Sequence, residues 1–177
     1  MAGRGNTVHN PPSSFDGFQQ ELVTLLPQLR AFARSLCGNR EQADDLVQEA
    51  AVRAWSARSS FTPGTSMRAW TFTILRNTYF SDLRRQKRQD SLASEDVRDW
   101  VPPEQEGHIH IADVERALAR LNADRRAALL LVTTGDFSYA EAAEICGCPI
   151  GTLRSRVSRA RRDLEMMLDG TMPAEQK

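Results

Sequence analysis

Ser138 with Glu141 three residues later, a glycine at 147, a proline at 149 and then a run of arginines leave the C-terminal third of this chain few folds to adopt. Serine and glutamate at that spacing form a capping box, in which each side chain satisfies a backbone N–H orphaned at a helix start. A short helix therefore begins at Tyr139, with Ala140, Ala143, Ile145 and Cys146 as apolar contact positions. Gly147 ends it, and Cys148-Pro149 turns the chain into a second helix. Pro149 is expected as the first helical residue, where a missing N–H costs nothing. From there, at 100° per residue, Ile150, Leu153, Val157, Ala160, Leu164, Met167 and Leu168 fall on one stripe. Gly151, Ser155, Ser158, Arg159 and Arg162 fall opposite, with Arg154, Arg156 and Arg161 on the flanks. Small residues at 140, 142 and 143 allow close approach of the two helices.

A short helix, a glycine turn and a longer basic helix make the helix-turn-helix pattern. From Gly151 to Arg162 there are five arginines and no acid. A solvated helix face mixes signs for solubility and for i,i+4 pairing, so a single-sign face points to an anionic partner. An ordinary helix pair explains the turn but not the missing acids. Such a motif docks with the N-terminal part of its second helix in the major groove, which puts Gly151 and Thr152 at the base edges. Ser155, Ser158 and Arg159 face the bases as well, and Arg154 reaches in from the edge of that stripe. Arg159 and Arg154 are the expected specificity residues, because an arginine pairs bidentately with guanine. Arg156, Arg161 and Arg162, on the flanks or further from the groove floor, are expected to meet phosphates.

Enzyme and metal chemistry find no support. Cys146 and Cys148 are one residue apart, the third cysteine is Cys37, and His9, His108 and His110 lie in segments that read as tail and linker. Zinc needs four ligands and a thioredoxin-like site needs two intervening residues, so the cysteines read as small apolar residues shaping a bend. An odd number of cysteines also argues against a disulfide scaffold. With no Ser-His-Asp grouping and no phosphate loop, no catalytic residue, metal or cofactor is expected.

At 177 residues the chain has room for one domain or two small ones. Strand signals are nearly absent, since LLLVTT at 129–134 sits inside a helix-length segment, and the fold is expected to be all-α. Two small helical domains joined by an acidic flexible linker fit the pattern: a lead at 1–14, a first domain at 15–88, a linker at 89–110, a second domain at 111–168 and a tail at 169–177. In the first domain, helices are expected at about 15–36, kinked or restarted at Pro27, at 40–57, capped by Asn39, and at 66–87. Ala43, Leu46, Val47, Ala50 and Ala54 form the inner stripe of the second of these, and Met67, Trp70, Ile74, Leu75 and Tyr79 are the expected packing residues of the third. In the second domain, helices are expected at about 111–121, 123–134, 139–146 and 149–168. The 23 basic and 23 acidic residues balance, but their distribution does not. Five basic residues (Arg76, Arg84, Arg85, Lys87, Arg88) precede an acidic linker, and the chain then closes on the arginine helix. Blocks of this kind keep cationic surfaces soluble and can shield them. No run approaches the roughly 18 apolar residues of a membrane span, and the N-terminus lacks the apolar stretch of a signal peptide, so a cytoplasmic protein is expected.

The loop RSSFTPGTS displays Phe61 beside a basic helix that also offers Asn77, Tyr79 and Phe80. Aromatics interleaved with amides over a cationic surface are what unstacked bases need, although most aromatics in a chain of this size must build its cores.

Taken together, NREQADDLVQEAAVRAW (39–55), SMRAWTFTILRNTYFSDLRRQKR (66–88) and FSYAEAAEICGCPIGTLRSRVSRARRDL (137–164) resemble an extracytoplasmic-function sigma factor, the minimal two-domain bacterial transcription initiation factor. The resemblance runs from Phe18 to about Leu168. LLPQLRAFARSLCGNREQADDLVQEA and FTPGTSMRAW look like the alphaproteobacterial general stress response subgroup, which a small anti-sigma factor holds inactive until a phosphorylated response regulator removes it. No receiver domain is present, so the chain resembles the sigma factor rather than the mimic.

The resemblance implies the roles of particular stretches. Asp44, Asp45, Gln48, Glu49 and Arg53 match the surface that grips the clamp helices of core RNA polymerase. Phe61 and Thr62 lie in the loop matching the element that captures a flipped base of the −10 promoter element, and Asn77, Tyr79, Phe80 and Arg84 match the helix beneath it, with Arg85, Lys87 and Arg88 continuing its basic end. The last helix matches the reader of the −35 element. The implied partners are core RNA polymerase, promoter DNA and a small anti-sigma factor lying between the domains, for which Trp100 and the 123–134 helix are candidate contacts. Two other readings compete: a helix-turn-helix regulator outside the polymerase holoenzyme, and a decoy that binds only the anti-sigma factor.

Overall fold

A computed structural model of the chain describes residues 14–90 and 111–169. Among the described residues, seven α-helices run in the order α1 (Ser14–Cys37), α2 (Arg40–Ser56), α3 (Met67–Asp90), α4 (Ile111–Arg120), α5 (Ala123–Thr133), α6 (Tyr139–Cys146) and α7 (Ile150–Leu168), with a 3-10 turn at Arg58–Ser60. Among the described residues no helix is long and apolar enough to cross a membrane. Trp100 and residues 91–110 of the linker lie outside the described residues, while residues 89 and 90 continue α3.

Helix α1 runs through Pro27 as one helix, so no second helix starts there. The proline side chain is exposed, while Leu22, Leu25, Leu29, Phe32, Ala33 and Leu36 bury one continuous stripe that holds both halves of the helix to the same core. Gly38, at φ +68°, ends α1, and the Asn39 side chain accepts from the Gln42 N–H to start α2 at once. The α2 stripe of Ala43, Leu46, Val47, Ala50 and Ala54 is buried as expected, and its small residues let α1 pack closely.

Helix α3 is buried on two sides. Met67, Thr71, Phe72, Leu75, Thr78 and Tyr79 are buried, whereas Trp70 and Ile74 are only half-buried. The buried threonines donate to carbonyls one turn back, Thr71 to Met67 at 2.7 Å and Thr78 to Ile74 at 2.9 Å, so neither hydroxyl is left unpaired. One side of α3 meets α1 and α2, and the other meets α6. Phe72 stands at this junction, 5.2 Å from Phe32 of α1 and 4.9 Å from Phe137 before α6, measured between ring centroids. The two halves therefore share one continuous apolar core instead of enclosing one each.

In the second half, Ala127–Leu131 of α5 are all buried, while Ala123 and Val132 of the same helix are half-buried. The capping box of α6 forms on both sides: the Ser138 N–H donates to Glu141 Oε2 at 2.9 Å, and the Glu141 N–H donates to Ser138 Oγ at 3.3 Å. These bonds hold the Glu141 carboxyl below its ordinary range. Ala142, Ala143, Ile145 and Cys146 are buried while Ala140 is exposed, a shift of the contact face by part of a turn. Gly147, at φ +60°, lets the Cys148 N–H reach the Ala143 carbonyl at 3.0 Å and swings the chain into α7. Pro149 is the N-cap and not the first helical residue. Its ψ of 145° is extended, and its carbonyl accepts the first bond, from the Leu153 N–H. Ile150 accordingly lies past the edge of the core and is 40% exposed.

Candidate nucleic-acid and protein interface

Leu153, Val157 and Ala160 anchor α7 against the rest of the molecule and so fix what its other face presents. Gly151, Thr152, Arg154, Ser155, Ser158, Arg159, Arg161 and Arg162 are all exposed. Arg154, Ser158, Arg161 and Arg162 also line a shallow hollow of about 600 Å³ beside Tyr139 of α6, bordered by Glu165. The Ser155 hydroxyl donates to the Thr152 carbonyl at 2.8 Å, which ties it to its own helix. Arg156 differs from its neighbours: it is half-buried, with Nη1 3.5 Å from Oδ1 of Asp124 on α5. On the inner flank, Arg125 and Asp163 pair at 2.5 Å and fasten α7 to α5.

The candidate residues of the first half divide. Thr62, Asn77, Arg84, Arg85, Lys87 and Arg88 are exposed, and Arg85 lies 3.5 Å from Asp82. Phe61 is not displayed by its loop. Its ring packs 5.9 Å from Phe18 and 5.4 Å from Trp70, because an aromatic side chain so close to α1 and α3 gains more from apolar contact than from water. Tyr79 is 7% exposed and its hydroxyl accepts from Arg126 Nη2 at 2.5 Å, so in this arrangement it offers no platform to a base. Burial pushes its phenol above the ordinary range. Phe80 is half-buried between Tyr79 and the Arg76 guanidinium, which lies 4.5 Å over its ring.

Asp44, Asp45, Gln48, Glu49 and Arg53 are exposed along α2. Glu49 and Arg53 pair at 2.7 Å, and Arg40 lies 3.9 Å from Asp44. Asp45, Gln48, Glu49 and Arg53 form one wall of a groove of about 820 Å³, with Leu83 and Arg85 of α3 opposite and Arg126 at its inner end. Val52 stands among them, 56% exposed, an apolar residue that sequence reading passed over although it follows Gln48 by four positions. Also missed were Arg68, Arg76, Asp124 and Arg126, whose polar contacts join the two halves and have no local signature. Burial raises the thiols of Cys37 and Cys146 to about 11, so both stay protonated at neutral pH.

Comparison with known proteins gives matches over both halves. Residues 22–89 match the model of Sigma-70 region 2, and residues 111–164 match that of Sigma-70, region 4. The chain is 44% identical over 155 residues to the ECF RNA polymerase sigma factor EcfG of Rhodopseudomonas palustris, covering 86% of each chain. In structure it is similar to the sigma factor RpoE of Bartonella quintana, solved with the anti-sigma factor NepR, at TM-score 0.73 and 45% identity over 86% of this chain and 97% of that one. It is also similar to CnrH, solved with the cytosolic domain of CnrY, at TM-score 0.64 and 29% identity over 88% and 89% of the two chains.

Proposed function

Since this chain belongs to the ECF sigma factors of bacterial RNA polymerase, we propose that it serves the general stress response branch of that family, with α7 reading the −35 element and α2 gripping the polymerase. A sigma factor binds core polymerase and directs where transcription starts; it catalyses nothing itself. The observation that carries the assignment of α7 is its exposed face, with Arg154, Arg159, Arg161 and Arg162 open to solvent and no acid between Gly151 and Arg162. Such a face suits a polyanion, and the exposed Gly151 and Thr152 at its N-terminal end suit base edges. Arg159 and Arg154 then discriminate, while Arg161, Arg162 and Arg156 hold phosphates.

On α2, the exposed Asp44, Asp45, Gln48, Glu49 and Arg53 form a polar face suited to one specific protein partner, and Val52 adds an apolar contact at its edge. Thr62, Asn77, Phe80 and the basic end of α3 at Arg84, Arg85, Lys87 and Arg88 are proposed to meet the −10 element, with Phe61 and Tyr79 joining once they leave their present packing. The stress-response branch rests on the identity to the two relatives above. One of them is solved with an anti-sigma factor, and a small anti-sigma factor is proposed to hold this chain as well.

The test is reconstitution. The purified chain mixed with core polymerase should co-elute with it and yield a discrete run-off transcript from a promoter of the GGAAC −35 type. Duplex binding without polymerase retention or any specific transcript would leave a free-standing helix-turn-helix regulator instead.

A further inference from the structure

Ile150 opens α7, yet the fold gives it little to do. Among the described residues it is the one exposed large apolar side chain of the second half, 40% exposed, whereas Leu153 and Val157 on the same stripe are buried. It lies outside the continuous apolar core, although Cys148, two residues earlier, packs against that core. Pro149, Gly151 and Thr152 beside it are exposed as well. No charged residue stands between Glu144 and Arg154. The leading end of α7 is therefore uncharged and partly apolar, and its cationic face begins one turn further on.

Gly151 keeps the space beside Ile150 open. A side chain at this position would meet nothing within 4 Å, so no neighbour in the fold requires a glycine there. Its backbone is helical and is not among the left-handed positions that favour glycine. Glycine is a poor helix former, so it weakens the start of α7 without improving any packing within the chain. What it leaves is a gap between Ile150 and Thr152 through which another molecule can approach the helix backbone closely.

We propose that Ile150 is a specificity-determining residue that packs against the C5-methyl group of a thymine in the −35 element. The proposal rests on the major-groove role of α7 argued above. Side chains tilt toward the N-terminus of their helix, so Ile150, at the first helical residue, projects ahead of the end that enters the groove. Base edges in the major groove present hydrogen-bonding groups at every pair, but the thymine methyl is their one apolar group. Arg154 stands four residues behind Ile150 on nearly the same side of α7, about 6 Å along the axis, or about two base-pair steps. With Arg154 on a guanine of a GGAAC-type element, Ile150 comes within reach of the thymines opposite the two adenines. Arg154 then discriminates by paired hydrogen bonds and Ile150 by apolar contact.

The experiment titrates the full chain with GGAAC-type duplexes in which one thymine at a time is replaced by deoxyuridine. This removes the C5-methyl group and keeps every hydrogen-bonding group. Replacing one of the thymines opposite the adenines should weaken binding by the wild-type chain about fourfold, the worth of one buried methyl group. The same replacement should leave Ile150→Ala unaffected, because the methyl group has already lost its partner. Thr152→Ser removes the neighbouring exposed methyl group and should keep the full deoxyuridine effect. An effect that persists in Ile150→Ala, that disappears in Thr152→Ser, or that is missing from the wild-type chain at every thymine would overturn the proposal. So would weaker core-polymerase retention in Ile150→Ala with its methyl dependence intact, which would make the residue a polymerase contact. A wild-type chain that prefers GGAAC over a scrambled duplex yet ignores every methyl group loses only the Ile150 contact. A chain without that preference loses the groove-reading role of α7 along with it.

Discussion

Helices α3 and α7 are both basic and both proposed to touch promoter DNA, yet they are built in opposite ways. Helix α7 buries one stripe, Leu153, Val157 and Ala160, and leaves its other face to solvent and two ion pairs with α5. Helix α3 is packed from two sides, holds Phe72, Thr71 and Thr78 in the core, and keeps an open basic surface only over its last two turns. On a one-sided helix, side-chain chemistry on the outer face is free to serve a partner. On a two-sided helix, the same residue types are already committed to building the fold. Aromatic and amide residues interleaved along α3 suggest a base-binding platform, but most of the aromatics turn out to join its two halves to their neighbours.

That contrast predicts a ladder of effects. Phe72→Ala should be the most damaging single change, costing about 3–5 kcal/mol in denaturant unfolding, because the ring touches Phe32 and Phe137 and leaves a cavity between the halves. A loss under about 1 kcal/mol would mean that α3 is not the shared wall of the core. Tyr79→Phe should cost about 1–3 kcal/mol, the range for stranding a buried donor on Arg126. The Tyr79 phenol carries a pH signature too. Its pKa is raised in the folded state, so the stability it contributes is complete below pH 10, the ordinary tyrosine value, and falls as pH rises through the higher folded value. Absorbance titration of the phenolate should show Tyr79 ionising above the ordinary tyrosine range, and ionisation within that range would contradict its burial.

Smaller effects belong to the exposed faces. Replacing Gln48 and Glu49 together by alanine should weaken retention on core polymerase while changing unfolding by no more than about 0.5 kcal/mol each. Equal loss of duplex binding in that variant would show that the α2 face is not confined to the protein partner. Cys146→Ala and Cys148→Ser should leave DNA preference intact without added metal. Alkylation of Cys146 should stay slow at pH 8 and accelerate toward pH 11, since its thiol is pushed up to about 11 by burial.

Much of this architecture was legible in the sequence, and what was illegible has a common cause. The Asn39 cap, the α2 stripe, the Ser138–Glu141 box and the glycine turn at 147 are local, and each folds as its residues dictate. The arginine face of α7 was legible because periodicity places it opposite a buried stripe. No second helix starts at Pro27, because a core stripe continues on both sides of this exposed proline. Phe61 misled because a Ser/Thr/Pro/Gly loop gives no sign that Phe18, more than forty residues earlier, will cover its ring. Phe72, Asp124 and Arg126 escaped for the same reason. Their partners lie on the other half of the chain, and no repeat or spacing links residues 47 positions apart, as Tyr79 and Arg126 are.

The central claim is that the open face of α7, and not its charge alone, reads the promoter. Paired salt titrations of Arg159→Ala and Arg162→Ala on a GGAAC-type duplex and on its scrambled counterpart test this most directly. Arg159→Ala should lose about 1–3 kcal/mol on the preferred duplex and far less on the scrambled one. Arg162→Ala should lose similar amounts on both and lower the salt slope by roughly one. Equal losses on the two duplexes for Arg159→Ala would contradict the account, leaving α7 a basic surface without a reading face.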